Sequence, residues 1–141
     1  LAPRGRHQID ATDIDPGALA AARRGVYSAR SVQAVTPARK KRYFVKEGDN
    51  YYLSEDIRAR VRFYQHDLLR DPYGSAYNLI VCRNVVIYFT AAAQYEIYRH
   101  FYQALAPGGV LFIGATESMF YYRELGFAKI APWFYRRPLT N

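Results

Sequence analysis

The apolar run from Leu79 to Cys82 constrains the fold of this chain more than any other feature. Four successive apolar residues that lead into the polar pair Arg83-Asn84 are typical of a short strand buried on both faces. Strands of this kind belong to parallel sheets with helices packed on either side. The run therefore favours an α/β protein over an all-helical or all-antiparallel one.

Strand-like and helix-like segments alternate on both sides of this run. The patterns predict strands at residues 7–13, 61–64, 77–82 and 110–113, and a tail at 127–136 that pairs at a sheet edge. Asp15 and Pro16 predict the start of a helix that ends at Gly25, and Thr90 predicts the start of a second one. Pro107-Gly108-Gly109 predicts a turn. The alternation predicts an α/β fold with a mostly parallel sheet.

Residues 26–60 differ in character from the rest, because basic and aromatic side chains interleave there. Residues 43–45 and 51–53 predict an antiparallel hairpin around the turn at residues 46–50. We expect residues 26–60 to form a small antiparallel β subdomain, inserted into one larger domain that spans residues 1–141.

Composition limits the classes of partner. Twenty Lys and Arg against twelve Asp and Glu give a net charge of +8. This charge suits nucleic acid, an anionic membrane surface or an acidic protein face, although a solvated basic surface explains it equally well. A single cysteine excludes an internal disulfide framework and fits a reducing cytosol. No apolar run approaches the roughly 20 residues of a membrane-spanning helix, and the three histidines show no metal-ligand spacing.

Polar residues follow the predicted strands at their carboxyl ends, where open parallel sheets bind ligands. Asp13 ends the first strand, and its carboxylate could accept hydrogen bonds from two ribose hydroxyls or simply act as a loop carboxylate. Asp67 could accept from an adenine amino group while the N–H of Leu68 donates to a ring nitrogen. Arg83-Asn84 and Thr116-Glu117-Ser118 follow the next two strands.

The stretch Cys82-Arg83-Asn84-Val85-Val86-Ile87-Tyr88-Phe89 resembles one family closely. Four shorter stretches resemble the same family: ATDID at residues 11–15, HDLL at 66–69, PGG at 107–109 and GATES at 114–118. The family is the chemotaxis receptor methyltransferases (CheR-type), which transfer a methyl group from S-adenosylmethionine to receptor glutamates. The resemblance implies a Rossmann-like class I methyltransferase sheet, and it implies S-adenosyl-L-homocysteine as the product.

The resemblance also implies roles for single residues. Asp13 corresponds to the ribose-binding carboxylate, and Asp67 with Leu68 corresponds to the pair that holds the adenine. The family often has Asn at the position of Asp67, and either side chain offers the acceptor oxygen that an amino group needs. Arg83 and Asn84 correspond to positions that contact the methionine part of the cofactor.

The same resemblance implies that Tyr88 lines the site of methyl transfer. The implied substrate is the acidic methylation helices in the cytoplasmic domain of a chemotaxis receptor, which places the protein in the cytoplasm. No metal ion, nucleic acid or membrane insertion is expected. A basic nucleic-acid-binding module is disfavoured, because the sequence lacks an aromatic RNA-binding signature.

The sequence begins after the point where this family carries a Gly-rich first strand, so we expect the sheet to lack that strand. Its absence would leave two strand edges without partners, which favours self-association of residues 1–141 and weak cofactor binding by them alone. A catalytically inactive remnant that acts as a binding module in signalling is the alternative to an enzyme.

Overall fold

A computed structural model describes residues 7–139, so the predicted domain bounds at residues 1 and 141 lie outside the described residues. In chain order the elements are β1 (Ile9–Asp13), α1 (Pro16–Arg24), β2 (Val26–Ser28), α2 (Pro37–Tyr43), β3 (Phe44–Glu47), β4 (Asn50–Leu53), α3 (Glu55–Arg58), β5 (Val61–Gln65), β6 (Tyr77–Cys82), a 3₁₀ turn (Val86–Tyr88), α4 (Ala91–Ala104), β7 (Leu105–Ile113), β8 (Ala128–Ala131) and β9 (Phe134–Arg136). They form two compact units, one ending at Asp67 and one beginning at Leu68. Within residues 7–139, no helix has both the length and the apolar character needed to span a bilayer.

In the first unit, β1 and β5 form a parallel pair in which Asp13 lies opposite Gln65. Helix α1 follows β1 as predicted. The Asp15 side chain accepts the N–H of Gly17 at 2.8 Å, and Pro16 occupies the first helical position. Gly25 ends the helix in the left-handed conformation, which glycine adopts without a steric penalty. The cap at Asp15, two residues after the end of β1 at Asp13, fixes the start of α1.

The predicted hairpin is confirmed as β3 and β4, which pair antiparallel and are joined by Gly48 and Asp49. Three further elements in residues 26–60 were not predicted, namely β2, α2 and the single-turn helix α3. Strand β2 pairs with the other edge of β4, and helix α2 begins after Thr36, whose side chain accepts the N–H of Arg39. Residues 26–53 thus contain a three-stranded antiparallel sheet in the order β2-β4-β3.

The second unit contains a four-stranded sheet in the order β6-β7-β9-β8. Strands β6 and β7 are parallel, whereas β9 pairs antiparallel with both β7 and β8. The tail was therefore correctly predicted to pair at a sheet edge. Helix α4 begins at the predicted cap, Thr90, whose hydroxyl accepts the N–H of Ala93. Its buried face packs in the core with Leu111, Ile113 and Met119.

The prediction that residues 79–82 are buried on both faces is wrong for two of the four residues. Leu79 and Val81 are 53% and 58% exposed, whereas Cys82 is buried and Ile80 packs against the core. Alternate side chains of a strand point to opposite faces, so one face of β6 packs in the core of its unit and the other stays open. Among residues 7–139, β6 pairs with β7 alone and β1 pairs with β5 alone.

The predicted turn at Pro107-Gly108-Gly109 is also wrong, because these residues lie inside β7. Backbone hydrogen bonds of 2.8 Å join Gly108 and Gly109 to Arg137. The register between β6 and β7 shifts at this point, which absorbs the extra residues as an irregularity in the strand. A Cβ at Gly109 would lie 2.7 Å from the carbonyl oxygen of Tyr77, so only glycine fits there.

Candidate functional site

Asp13 lies exposed at the carboxyl end of β1. Its Oδ1 accepts the backbone N–H of Asp15 at 2.9 Å, and its carbonyl oxygen accepts the N–H of His66 at 3.1 Å. The second carboxylate oxygen accepts no hydrogen bond from residues 7–139. The main chain at Asp13 is thus fixed to the strand end of β5, while one side-chain oxygen remains available to a hydroxyl.

Asp67 and Leu68 follow that strand end and are both half-buried. The carbonyl oxygen of Leu68 accepts the hydroxyl of Tyr73 at 2.8 Å, and its side chain packs against the core of the second unit. The N–H of Leu68 has no acceptor within the described part of the chain. The Leu68 N–H is a donor and the preceding residue, Asp67, carries an acceptor. Adenine presents the complementary pair, a ring nitrogen that accepts and an amino group that donates.

Arg83 is the first residue after β6, and its guanidinium lies over the ring of Phe112 at 4.9 Å from the ring centroid. Phe112 in turn stacks on Phe134 with the ring centroids 4.3 Å apart. No carboxylate within residues 7–139 pairs with Arg83. The cation is therefore held by aromatic contact and keeps all its donors for a ligand.

Asn84 adopts a left-handed backbone conformation, with φ of 59°. Such a conformation is uncommon outside glycine and costs about 1–2 kcal/mol, although Asn tolerates it better than most residues. Its side-chain amide makes no hydrogen bond within the described residues. A Cβ at Gly114 would lie 2.5 Å from the Asn84 Oδ1, so the glycine at the end of β7 makes room for this amide.

Glu117 fixes the backbone around Asn84, and no role was predicted for it from the sequence. It is only 5% exposed, and its carboxylate accepts four backbone N–H groups. Oε1 accepts from Val85 at 3.2 Å and Val86 at 2.9 Å, while Oε2 accepts from Asn84 at 3.2 Å and Gly114 at 2.6 Å. The carboxylate thereby joins the carboxyl ends of the parallel strands β6 and β7. The sequence signal for this role was the position of Glu117, three residues after Gly114 at the end of β7.

Tyr88 ends the 3₁₀ turn and is 82% exposed. Its hydroxyl makes no hydrogen bond with the described residues. The same turn borders a cavity of about 160 Å³, which is lined by Val86, Ile87, Gln94, Tyr98, Thr116, Glu117 and Ser118. The Tyr88 ring and part of the cavity lining therefore belong to the segment whose backbone N–H groups donate to the Glu117 carboxylate.

Two buried groups near Glu117 stay uncharged. Burial raises the pKa of the Cys82 thiol from 9.0 to about 12, with a smaller contribution from the negative charge of Glu117. Burial also raises the pKa of Tyr98, and Glu117 again adds to the effect. Cys82 is therefore a protonated core residue and a poor nucleophile at neutral pH.

The donor and acceptor types fit S-adenosylmethionine. In the first unit, Asp13 and Asp67 offer carboxylate acceptors of the type that would suit ribose hydroxyls and an adenine amino group. In the second unit, Arg83 and Asn84 offer donors of the type that would suit a carboxylate. Within residues 7–139, no cluster of His, Cys, Asp or Glu could hold a metal ion.

Comparison with known proteins identifies the family. Residues 2–131 match the family described as CheR methyltransferase, SAM binding domain. The chain belongs to this family. The predicted family is thus confirmed, and S-adenosylmethionine is the cofactor of its domain. The predicted α/β methyltransferase class is confirmed with it.

Named relatives agree with this assignment. A chemotaxis protein methyltransferase of Listeria innocua is 39% identical over 129 residues, which cover 92% of this chain and 49% of the relative. Chemotaxis protein methyltransferase 2 of Vibrio cholerae is 41% identical over 116 residues, which cover 79% of this chain and 40% of the relative. The chain spans about half the length of the curated relatives it matches.

A solved structure shares the fold. The crystal structure of a possible exported protein from Bordetella parapertussis superimposes with a TM-score of 0.57 over 93% of this chain and 53% of that chain. The two sequences are 18% identical, so the likeness concerns the fold alone.

Proposed function

We propose that the protein methylates glutamate side chains of chemotaxis receptors, with S-adenosylmethionine as the methyl donor. The observation that carries this proposal is that, in each unit of this CheR-family chain, polar groups at the strand ends make no hydrogen bond within residues 7–139. These are one oxygen of Asp13, the N–H of Leu68, and the side chains of Arg83, Asn84 and Tyr88. Relatives named chemotaxis protein methyltransferase support the same activity. This activity is favoured over that of an inactive binding module.

Each strand end has a defined task in this proposal. Asp13 accepts hydrogen bonds from the ribose hydroxyls, while Asp67 and the Leu68 N–H hold the adenine. Arg83 and Asn84 donate to the methionine part of the cofactor. Those of these hydrogen bonds that involve a charged group contribute about 1.5–3 kcal/mol each.

Methyl transfer requires little of the protein beyond correct placement of the two reacting groups. When bound, S-adenosylmethionine supplies an activated methyl group that an ionised carboxylate accepts without a strong base. The residues of this chain therefore need to align the carboxylate and exclude water. In this proposal Tyr88 lines that position, with an exposed ring and a hydroxyl that makes no hydrogen bond within residues 7–139.

The proposed substrate is the acidic methylation helices of the receptor cytoplasmic domain, and the proposed location is the cytoplasm. Helix α2 offers such a partner a cluster of basic side chains, Arg39, Lys40, Lys41 and Arg42, which cover a full turn of the helix. None of these four side chains pairs with a carboxylate within residues 7–139. We assign the segment 26–60, which carries this helix, to an inserted subdomain of the methyltransferase domain.

Transfer of tritium from S-adenosyl-[methyl-³H]methionine to a purified receptor cytoplasmic domain tests this function. With the full-length protein, we expect base-labile label on the receptor, because carboxyl methyl esters hydrolyse readily in base. A receptor domain with the methylation-helix glutamates replaced by alanine is the control, and it should take up no label. Equal labelling of both domains, or label on neither, would contradict the proposal.

We also propose that residues 1–141 in isolation self-associate and bind the cofactor weakly. Within residues 7–139, β6 pairs with β7 alone and exposes Leu79 and Val81 on one face, and exposed apolar edge strands recruit other chains. Light scattering should therefore report oligomers. A monodisperse monomer that binds S-adenosylhomocysteine with micromolar affinity would contradict this expectation.

A further inference from the structure

The carboxylate of Glu117 is buried without a cationic partner within residues 7–139. Removing an ionised carboxylate from water is costly unless hydrogen bonds replace the lost hydration. Glu117 receives that compensation from four backbone N–H groups, three of which belong to the consecutive residues Asn84, Val85 and Val86. The contacts with these three residues join positions more than 30 residues apart, so they define tertiary structure rather than a local turn.

The backbone of residues 84–86 is shaped to bind an anion. Asn84 is in the left-handed conformation, and Val85 follows at φ −113° and ψ −50° in the right-handed helical region. When two successive residues adopt backbone conformations of opposite handedness, their N–H groups point towards one position and form an anion-binding nest. The Glu117 carboxylate occupies that point. The unfavourable φ of Asn84 is thus stabilised by a charge from another strand end.

We propose that Glu117 is a positioning residue for cofactor binding, which acts through the backbone of residues 84–86. This inference rests on the proposed function, because it assigns Arg83 and Asn84 to the methionine part of the cofactor. Without the carboxylate, Asn84 relaxes towards a negative φ. Its amide then turns away from the space beside Gly114, and the neighbouring Arg83 shifts with it.

The variant Glu117→Gln tests this role with little change in side-chain volume. An amide leaves one acceptor oxygen but turns an NH₂ group, which cannot accept, towards the backbone N–H groups. The control is Glu124→Gln, which makes the same change of charge at an exposed carboxylate in the same unit. Glu124 accepts the Tyr95 hydroxyl at 3.1 Å and makes no hydrogen bond with residues 84–86.

The measurement is the dissociation constant for S-adenosylhomocysteine, obtained by calorimetry on the full-length protein below its unfolding temperature. We expect Glu117→Gln to weaken binding at least tenfold and Glu124→Gln to change it less than twofold. In the Asn84→Ala background, Glu117→Gln should cost much less than it does alone, because part of its effect passes through Asn84. An effect of Glu117 on binding that does not pass through Asn84 predicts losses that multiply.

A second variant covers the case in which Glu117→Gln does not fold. Glu117→Asp keeps the charge but shortens the side chain by one methylene, so it should retain the fold and still weaken binding. Unchanged affinity in a folded Glu117 variant, or losses that multiply with Asn84→Ala, would overturn the positioning role alone. Failure of the unmodified protein to bind S-adenosylhomocysteine would instead overturn the proposed function, together with this role.

Discussion

The guanidinium of Arg83 lies 4.9 Å from the centroid of the Phe112 ring, one strand away in the β6-β7 pair. Phe112 is itself held in a nearly parallel stack with Phe134. An exposed arginine at a strand end would otherwise sample many rotamers. The aromatic pair therefore restricts the cation to the edge of the sheet where the cofactor is proposed to bind.

Replacing Phe112 by leucine should weaken cofactor binding without removing any direct contact to it. The lost cation–π contact is worth about 0.5–1 kcal/mol at an exposed site, which corresponds to a roughly two- to fivefold higher dissociation constant. Calorimetry with S-adenosylhomocysteine checks this, with Phe120→Leu as the control because Phe120 is 89% exposed. Equal affinities in the two variants would show that Phe112 does not restrict Arg83.

Removing the Tyr88 hydroxyl should slow turnover more than it weakens cofactor binding. The hydroxyl is proposed to face the methyl-transfer position, and within residues 7–139 it has no structural partner that Tyr88→Phe would disrupt. Steady-state methylation and equilibrium binding, measured on the same preparation, separate the two effects. If kcat and the dissociation constant both keep their original values, the tyrosine plays no part in the transfer.

Cys82 should make stability depend on pH in the alkaline range. Its pKa is raised to about 12 in the folded protein, against 9.0 ordinarily, so folding favours the protonated thiol. This contribution is complete below pH 9 and is lost as the pH rises from 9 towards 12. The difference in unfolding free energy between the natural protein and Cys82→Ala should therefore shrink between pH 8 and pH 11. A constant difference would contradict the assigned pKa.

Local signals predicted the elements that lead to the site. Asp15 with Pro16, and Thr90 before α4, are complete capping signals, because the cap and the helix lie within a few residues of each other. The same kind of signal at Thr36 and Pro37 begins α2, although its basic and aromatic surroundings obscured it. Strand-end positions of Asp13 and Arg83 followed from the alternation of strands and helices.

Features that depend on distant residues could not be predicted in the same way. Residues 107–109 look like a turn, but hydrogen bonds to Arg137 and the register shift against β6 keep them within β7. Glu117 looks like one more polar residue at a strand end. Its hydrogen bonds to residues 84–86 exist only because β6 and β7 lie side by side.

The affinity of the full-length protein for S-adenosylhomocysteine, compared with that of Asp13→Asn, tests the central claim most directly. The amide keeps an acceptor for the Asp15 N–H but loses the charge that strengthens bonds to ribose hydroxyls. At about 1.5 kcal/mol or more for one weakened bond, the dissociation constant should rise roughly tenfold or more. Asp49→Asn, in the exposed β3-β4 connection, should leave it unchanged. Equal affinity in the natural protein and in Asp13→Asn would contradict the proposed binding site.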